Sequence, residues 1–245
     1  GLIEIHNVDY LFKVDIFKEE QELIFLKKFN NFAGSLSSNT SENFLSWIEW
    51  DYPFMPWENN NLFFAELDNN CELENSIKLD KEIISNCEKI SFFQPYWISD
   101  NLLVCSEDSS GWWNLIFFEV NDLNNIQIRK RISKEFFEYG LPQWVSGISL
   151  FSGLKDNFYC LAKHKDNWIL ENYQNLHFVR KIDLPYTNLS DLKSYAGNLI
   201  LKASNQFCEE KLIELEIKSL DKIQIKQNKI KPLESISQAK SIWFE

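Results

Sequence analysis

Short apolar or alternating runs bounded by turn residues fill all 245 residues, no window of a dozen residues sustains a helical period, and the runs recur in groups of four. Together these features predict an all-β chain, a β-propeller of four-stranded antiparallel blades. The repeat is clearest in the second run of each group: Phe44-Leu-Ser-Trp-Ile-Glu-Trp, Asn101-Leu-Leu-Val-Cys-Ser, Asn157-Phe-Tyr-Cys-Leu-Ala and Asn198-Leu-Ile-Leu-Lys-Ala start 57, 56 and 41 residues apart. A two-sheet sandwich would accommodate as many strands but would not require the repeat.

In chain order, 10–17 and 22–29 read as the last two strands of a preceding blade. Four whole blades follow, at about 32–80, 90–133, 139–184 and 186–231, and 237–244 forms a strand-like tail. Each blade opens on a run containing small or turn residues: Phe32-Ala-Gly-Ser-Leu, Phe92-Phe-Gln-Pro-Tyr-Trp, Leu141-Pro-Gln-Trp-Val-Ser and Leu189-Ser-Asp-Leu-Lys-Ser. Third runs begin at Leu62, Trp113, Trp168 and Lys211, and fourth runs at Ser76, Ile126, Phe178 and Ile223. The whole chain reads as a single propeller domain or a piece of one, whose end fragments either combine into a fifth blade or mark the cut ends of an arc.

Composition narrows the function. With 25 Lys and Arg against 36 Asp and Glu, the net charge of −11 argues against a nucleic-acid partner, whose phosphates need clustered cations. Hydrophobic residues make up 44% and aromatics 15%, enough for a large core of rigid side chains suited to strands. Cysteines at 71, 87, 105, 160 and 208 are odd in number and show no zinc spacing, which fits buried free thiols in a reducing, cytoplasmic setting. No apolar run approaches the length of a membrane span, and neither a cofactor fingerprint nor a metal motif occurs. The start at Gly1, without an initiator Met, reads as a piece of a longer protein.

In a four-stranded meander the turns alternate sides. One face therefore collects the loops 51–58, 107–113, 163–168 and 204–210 with the inter-blade connections, while short plain turns such as Ser99-Asp-Asn and Lys155-Asp-Asn fall on the other. Loops held by a rigid scaffold are where function concentrates. The most distinctive is Trp50-Asp-Tyr-Pro-Phe-Met-Pro-Trp, stiffened by two prolines and made apolar and polarizable by its Trp and Met residues. Alone, such a loop is either packed on its neighbours or a docking surface.

Residues 44–67 also resemble a segment of the propeller in prolyl oligopeptidase-family serine peptidases, in the dipeptidyl aminopeptidase/acylaminoacyl-peptidase branch. Phe92-Phe-Gln-Pro-Tyr-Trp followed by Ser106-Glu-Asp-Ser-Ser-Gly-Trp-Trp-Asn-Leu resembles the next blade, and Glu138-Tyr-Gly-Leu-Pro-Gln-Trp the one after. Leu184-Pro-Tyr-Thr and 235–245 are similar too, so the likeness covers essentially the whole chain. It departs at Tyr52 and Phe54, where the family commonly has His and Asn, and at Asn-rich turns such as Asn59-Asn-Asn.

The resemblance implies a non-catalytic, substrate-gating propeller that covers a C-terminal α/β-hydrolase domain of the same polypeptide and restricts access to short peptides or acyl-amino acids. The hydrolase- or substrate-facing residues would be Trp50, Asp51, Tyr52, Pro53, Met55, Pro56, Trp57, Gln94, Trp112, Trp113, Gln143 and Trp144. Catalysis itself is not expected from this chain. Its nearest approach to a nucleophile elbow, Gly147-Ile-Ser-Leu-Phe, lacks the second Gly and reads as strand. Only His6, His164 and His177 offer a base, and His164 with Cys160 reads as two residues of one strand face. Innermost strands lack the paired carboxylates of a glycosidase, Asp191 excepted. Residues 106–113 suggest a structural hairpin, and the acidic stretch 19–22 a solvated loop. The competing expectation is a free-standing propeller that binds a protein or glycan through the same aromatic face.

Overall fold

A computed structural model describes residues 1–87, 89–154, 157–219, 222–226 and 242. The chain divides into two compact units, one of residues 1–133 with 140–147 and one of 134–139 with 148–245.

The first unit begins with a three-stranded sheet, β1 (Leu2–Ile5), β2 (Val8–Lys13) and β3 (Ile24–Lys28), paired in that order. Two strands were expected here and three are present. His6 and Asn7 join β1 to β2 with φ of 51° and 60°, the left-handed pair of a type I′ hairpin without the usual glycine signal. Ile16 and Phe17, expected as strand, lie in an exposed turn. The acidic residues 19–22 share that exposed loop.

Two blades complete this unit. The first is β4 (Phe32–Ser38), β5 (Phe44–Trp50), β6 (Asn61–Leu67) and β7 (Leu73–Lys78); the second is β8 (Phe92–Ser99), β9 (Leu102–Glu107), β10 (Asn114–Asp122) and β11 (Asn125–Ile132). Every adjacent pair is antiparallel. Alternation along a strand sends successive side chains to opposite faces, which explains how β5 is buried on both. Phe44 and Ile48 join Leu62 and Phe64 against the second blade's Phe92, Trp97, Leu103 and Phe118. Leu45 and Trp47 turn the other way, against Leu11 of the three-stranded sheet and Phe29 just past the end of β3. Ser46, on the second blade's side, accepts a 3.0 Å hydrogen bond from Trp97 Nε1, so the indole N–H is satisfied inside the core.

The second unit holds the third and fourth blades. Its fourth blade is β17 (Asn188–Tyr195), β18 (Asn198–Asn205), β19 (Cys208–Ser219) and β20 (Lys222–Lys226). Its third contains β14 (Asn157–His164), β15 (Asn167–Gln174) and β16 (His177–Ile182), but its innermost position is filled by two pieces, β12 (Phe137–Glu138) and β13 (Phe151–Leu154). The expected first strand at 141–146 is therefore absent. Pro142 cannot donate to a ladder, and the segment leaves the sheet and is grouped with the first unit. Gly147, also expected in a strand, sits in a turn at φ +85°, and only Phe151 of that stretch enters β13.

The break has counterparts in the other blades. β4, β8 and β17 each carry a bulge where two residues face one, led by Ser35, Gln94 and Asp191 at φ of 53°, 47° and 51°. The third blade departs from its ladder at the corresponding level, between the β12 partner Lys163 and the β13 partner Cys160, and residues 139–150 are its excursion. The expected tail at 237–244 and the end of the fourth blade beyond 226 lie outside the described residues, Ile242 apart, as does most of the Lys155-Asp-Asn turn.

Candidate functional site

In the first unit, the ends of β5, β6, β8, β9 and β10 that meet in register place the 51–60 and 108–113 loops at one end of the blades. The 39–43 and 99–101 turns meet at the other end, where Asn39 Nδ2 donates to the Asp100 carbonyl at 3.0 Å. The sorting of loops by meander geometry holds within these blades.

The 51–60 loop is two linked turns. Phe54 N donates to Asp51 O at 2.9 Å, and Glu58 N donates to Met55 O at 2.9 Å while its own carboxylate accepts from Met55 N at 2.8 Å. The Tyr52–Pro53 bond is cis. Tyr52, Pro53 and Met55 are exposed, Asp51 accepts from Asn31 Nδ2, and Lys89 Nζ lies 5.2 Å from the Phe54 ring centroid. Pro56 is buried.

Asn60, which sequence reading did not single out, anchors the loop. Fully buried, it donates through Nδ2 to Pro56 O at 2.6 Å and Phe92 O at 2.8 Å, and accepts from Phe92 N at 2.8 Å. One amide thus replaces a stretch of backbone ladder between the first blade's loop and the second blade's innermost strand.

Residues 140–147 lie on the same end. Gln143 accepts from Ser35 Oγ at 2.9 Å and donates to Phe92 O at 3.3 Å, so it touches the innermost strands of both blades. Trp144 is 73% exposed, yet its ring centroid is 4.2 Å from that of Trp57. Gly140 rests on the Trp113 indole so closely that a Cβ there would come within 2.7 Å of the ring. Trp113 in turn meets Phe93 edge-on at 6.2 Å.

The twelve expected residues therefore divide. Trp57 and Trp144 come together with Gln143 beside Trp144, and Asp51, Tyr52, Pro53 and Met55 are exposed on the 51–60 loop. Trp50 turns inward instead, stacked on Phe32 at 5.6 Å and packed against the core between the blades. Pro56 is buried, Trp112 and Trp113 are half-buried in the β9–β10 loop, and Gln94 leads the β8 bulge inside a strand. The exposed apolar character of this end comes from Tyr52, Met55, Trp144 and Val145. Residues 108–111 close a tight turn through Gly111 N to Asp108 O at 2.9 Å, the structural hairpin expected there.

Electrostatics under this surface centre on Lys81. Its ammonium donates to Asn59 Oδ1 at 2.7 Å and Ile90 O at 2.8 Å, and burial, with Lys78 nearby, lowers its pKa from 10.5 to about 8. Asp108 raises it in part. The Asp108 carboxyl is itself pushed up by burial, although it accepts from Ser91 N at 2.7 Å.

The second unit has a cleft of about 360 Å³ at the β14–β15 turn, lined by His164, Trp168, Lys181, Asp183, Leu184 and Tyr186 among others. Trp168 N donates to Thr187 O at 3.2 Å and ties the inter-blade connection to β15. His164 stacks on Phe137 at 4.3 Å, while Cys160 is buried further down the strand, its thiol pushed up by burial and then by Glu171. Four residues of strand separate them by about 13 Å, too far for proton transfer. Asp191 is ion-paired with Lys202 at 2.9 Å. Among the described residues no group of three or more His, Cys, Asp or Glu is placed to hold a metal ion.

These blades are similar to parts of known peptidases. A puromycin-hydrolyzing peptidase from Mycobacterium tuberculosis matches 83% of this chain at 17% identity with a TM-score of 0.69. A puromycin hydrolase matches 88% at 16% identity with a TM-score of 0.68, and prolyl oligopeptidase B from Galerina marginata matches 95% at 9% identity with a TM-score of 0.63. The chain covers 30%, 35% and 31% of those structures, about a third of their length. No protein-family model matches the chain, and no curated protein matches its sequence. The likeness establishes the class: a β-propeller of four-stranded antiparallel blades. More particularly, it is the fold of the propeller portion of prolyl oligopeptidase-type enzymes.

Proposed function

We propose that the chain is the non-catalytic propeller of a serine peptidase, covering an α/β-hydrolase domain of the same polypeptide and admitting short peptides or acyl-amino acids. The observation that carries this reading is the match of most of the chain to about a third of each of several full-length peptidases, whose propeller is joined to a hydrolase domain. The aromatic end of the first unit supplies a suitable contact surface, because Trp, Tyr and Met give large contact area when a partner excludes water. On this reading Trp57, Trp144, Met55 and Tyr52 are its central residues, Gln143 adjoins Trp144, and Trp112, Gln94 and Asp51 would contribute from the β9–β10 loop, the β8 bulge and the loop base.

A cytoplasmic setting fits the five free cysteines, although only Cys105 and Cys160 are buried as expected; Cys71 and Cys87 are exposed and Cys208 is half-buried. Among the described residues no helix is long and apolar enough to cross a membrane. The decisive test is the reading frame beyond Glu245. A Gly-x-Ser-x-Gly motif followed by Asp and His supports the peptidase reading. A stop codon would overturn it and leave a free-standing propeller that uses the same face to bind a protein or glycan.

A further inference from the structure

The second unit contains a built cation site. Lys134 lies outside the strands, in the connection that leads into β12. Its ammonium meets both oxygens of Glu171, at 2.9 and 3.0 Å, and the Tyr173 hydroxyl at 3.3 Å. Four rings surround the same nitrogen: Phe137, Phe178, Tyr139 and Tyr173 have centroids 4.8, 5.1, 5.6 and 5.9 Å away.

The carboxylate is held as firmly as the rings. Glu171 has a side chain only 4% exposed, and its Oε2 accepts from both Tyr139 and Tyr173 hydroxyls at 2.7 Å. Burial, reinforced by Cys160 and Glu171, pushes both phenols far above their ordinary range, so they stay protonated donors. Aromatic faces around a carboxylate stabilise an ammonium through the ring quadrupoles and charge-assisted hydrogen bonds. An ordinary buried ion pair needs only the carboxylate; the four rings add selectivity for an alkylammonium whose apolar stem lies among them. The occupant, with a side chain 28% exposed, is reachable from solvent, whereas the carboxylate beneath it is not.

We propose that Glu171, Tyr139, Tyr173, Phe137 and Phe178 form a recognition site for a primary alkylammonium, kept closed by Lys134 as its tethered ligand. Removing the tether opens the site to a free amine of matching length. Lys134→Gly deletes the four-carbon stem with its ammonium, so n-butylammonium is the probe. Thermal melts of the variant are expected to shift upward with n-butylammonium and recover much of the loss relative to wild type. n-Butanol, which lacks the charge, should do little; tetramethylammonium, which lacks N–H donors, should do less than n-butylammonium. The wild type should respond to none of them.

No response from the folded variant, or an equal response to n-butanol, would overturn the proposal. If Lys134→Gly is unfolded without ligand, recovery of a cooperative melt with n-butylammonium supports the site and failure to recover sinks it. Wild-type chain gives an independent reading through acetylation kinetics followed by mass spectrometry. Lys134 should label on the order of tenfold more slowly than Lys18, whose side chain is 71% exposed. Equal rates would show that the ammonium is not held.

Discussion

At the scale of single residues, the structure depends on polar groups placed where backbone pairing is interrupted. Asn60 is the clearest, since its amide satisfies a buried N–H and two carbonyls that no strand reaches. Asn60→Ala removes the partner of Phe92 N and of Pro56 O, leaving Phe92 O to Gln143 alone, and should cost about 3 kcal/mol in urea unfolding, against well under 1 kcal/mol for Ala at exposed Asn70. Lys81 makes a different prediction. Its pKa in the folded chain, about 8, lies below the ordinary lysine value of 10.5, so the unfolded chain binds more protons between those values. Stability from this group is therefore reduced below about pH 8 and rises as pH increases toward 10.5. Unfolding of wild type and Lys81→Met from about pH 7 to about pH 10 should show wild type gaining on the variant. None of this was legible in sequence. Asn60 stands in a run of three asparagines that reads as a turn, and only the approach of Phe92, 32 positions away, makes it a core residue.

At the scale of elements, strands with strong alternation were read correctly and one without it was not. β5 and β6 send alternate side chains to two different cores, so their sequence carries their placement directly. Residues 141–146 have the apolar content of a strand, but Pro142 and the flanking glycines suit a segment that leaves the sheet. That segment is held by few contacts: Gln143 to two innermost strands, Trp144 on Trp57, and Gly140 on Trp113. Gly140→Ala forces a methyl into the Trp113 ring and should destabilise the chain by about 1–3 kcal/mol. The accompanying change in tryptophan fluorescence is expected to be larger than for Gly197→Ala, where nothing lies within 4 Å of the added carbon. An unchanged spectrum for Gly140→Ala would mean that the segment does not rest on Trp113.

On the scale of the whole molecule, each unit buries its strand faces, and the first unit gathers its distinctive loops at one end of its blades. The described residues present aromatic contact area there, and Cys160 and His164, the pair weighed as catalytic, are engaged separately inside the third blade. Purified chain assayed with acyl-amino-acid and dipeptidyl amides should show no turnover above buffer. Saturable hydrolysis that survives further purification would contradict the proposed division of labour between propeller and hydrolase.

By itself the sequence determined the strand content, the grouping of strands in fours and, within the first unit's blades, the partition of loops between ends. Those features follow from local alternation and turn chemistry, which act over a few residues. Tertiary structure alone decided which aromatic residues are exposed, that the third blade's innermost strand is split, that Asn60 is an anchor, and that Lys134 sits in a cage of four rings. Each of those outcomes depends on groups brought together from distant parts of the chain, and no periodic pattern in sequence records which partner a side chain will meet.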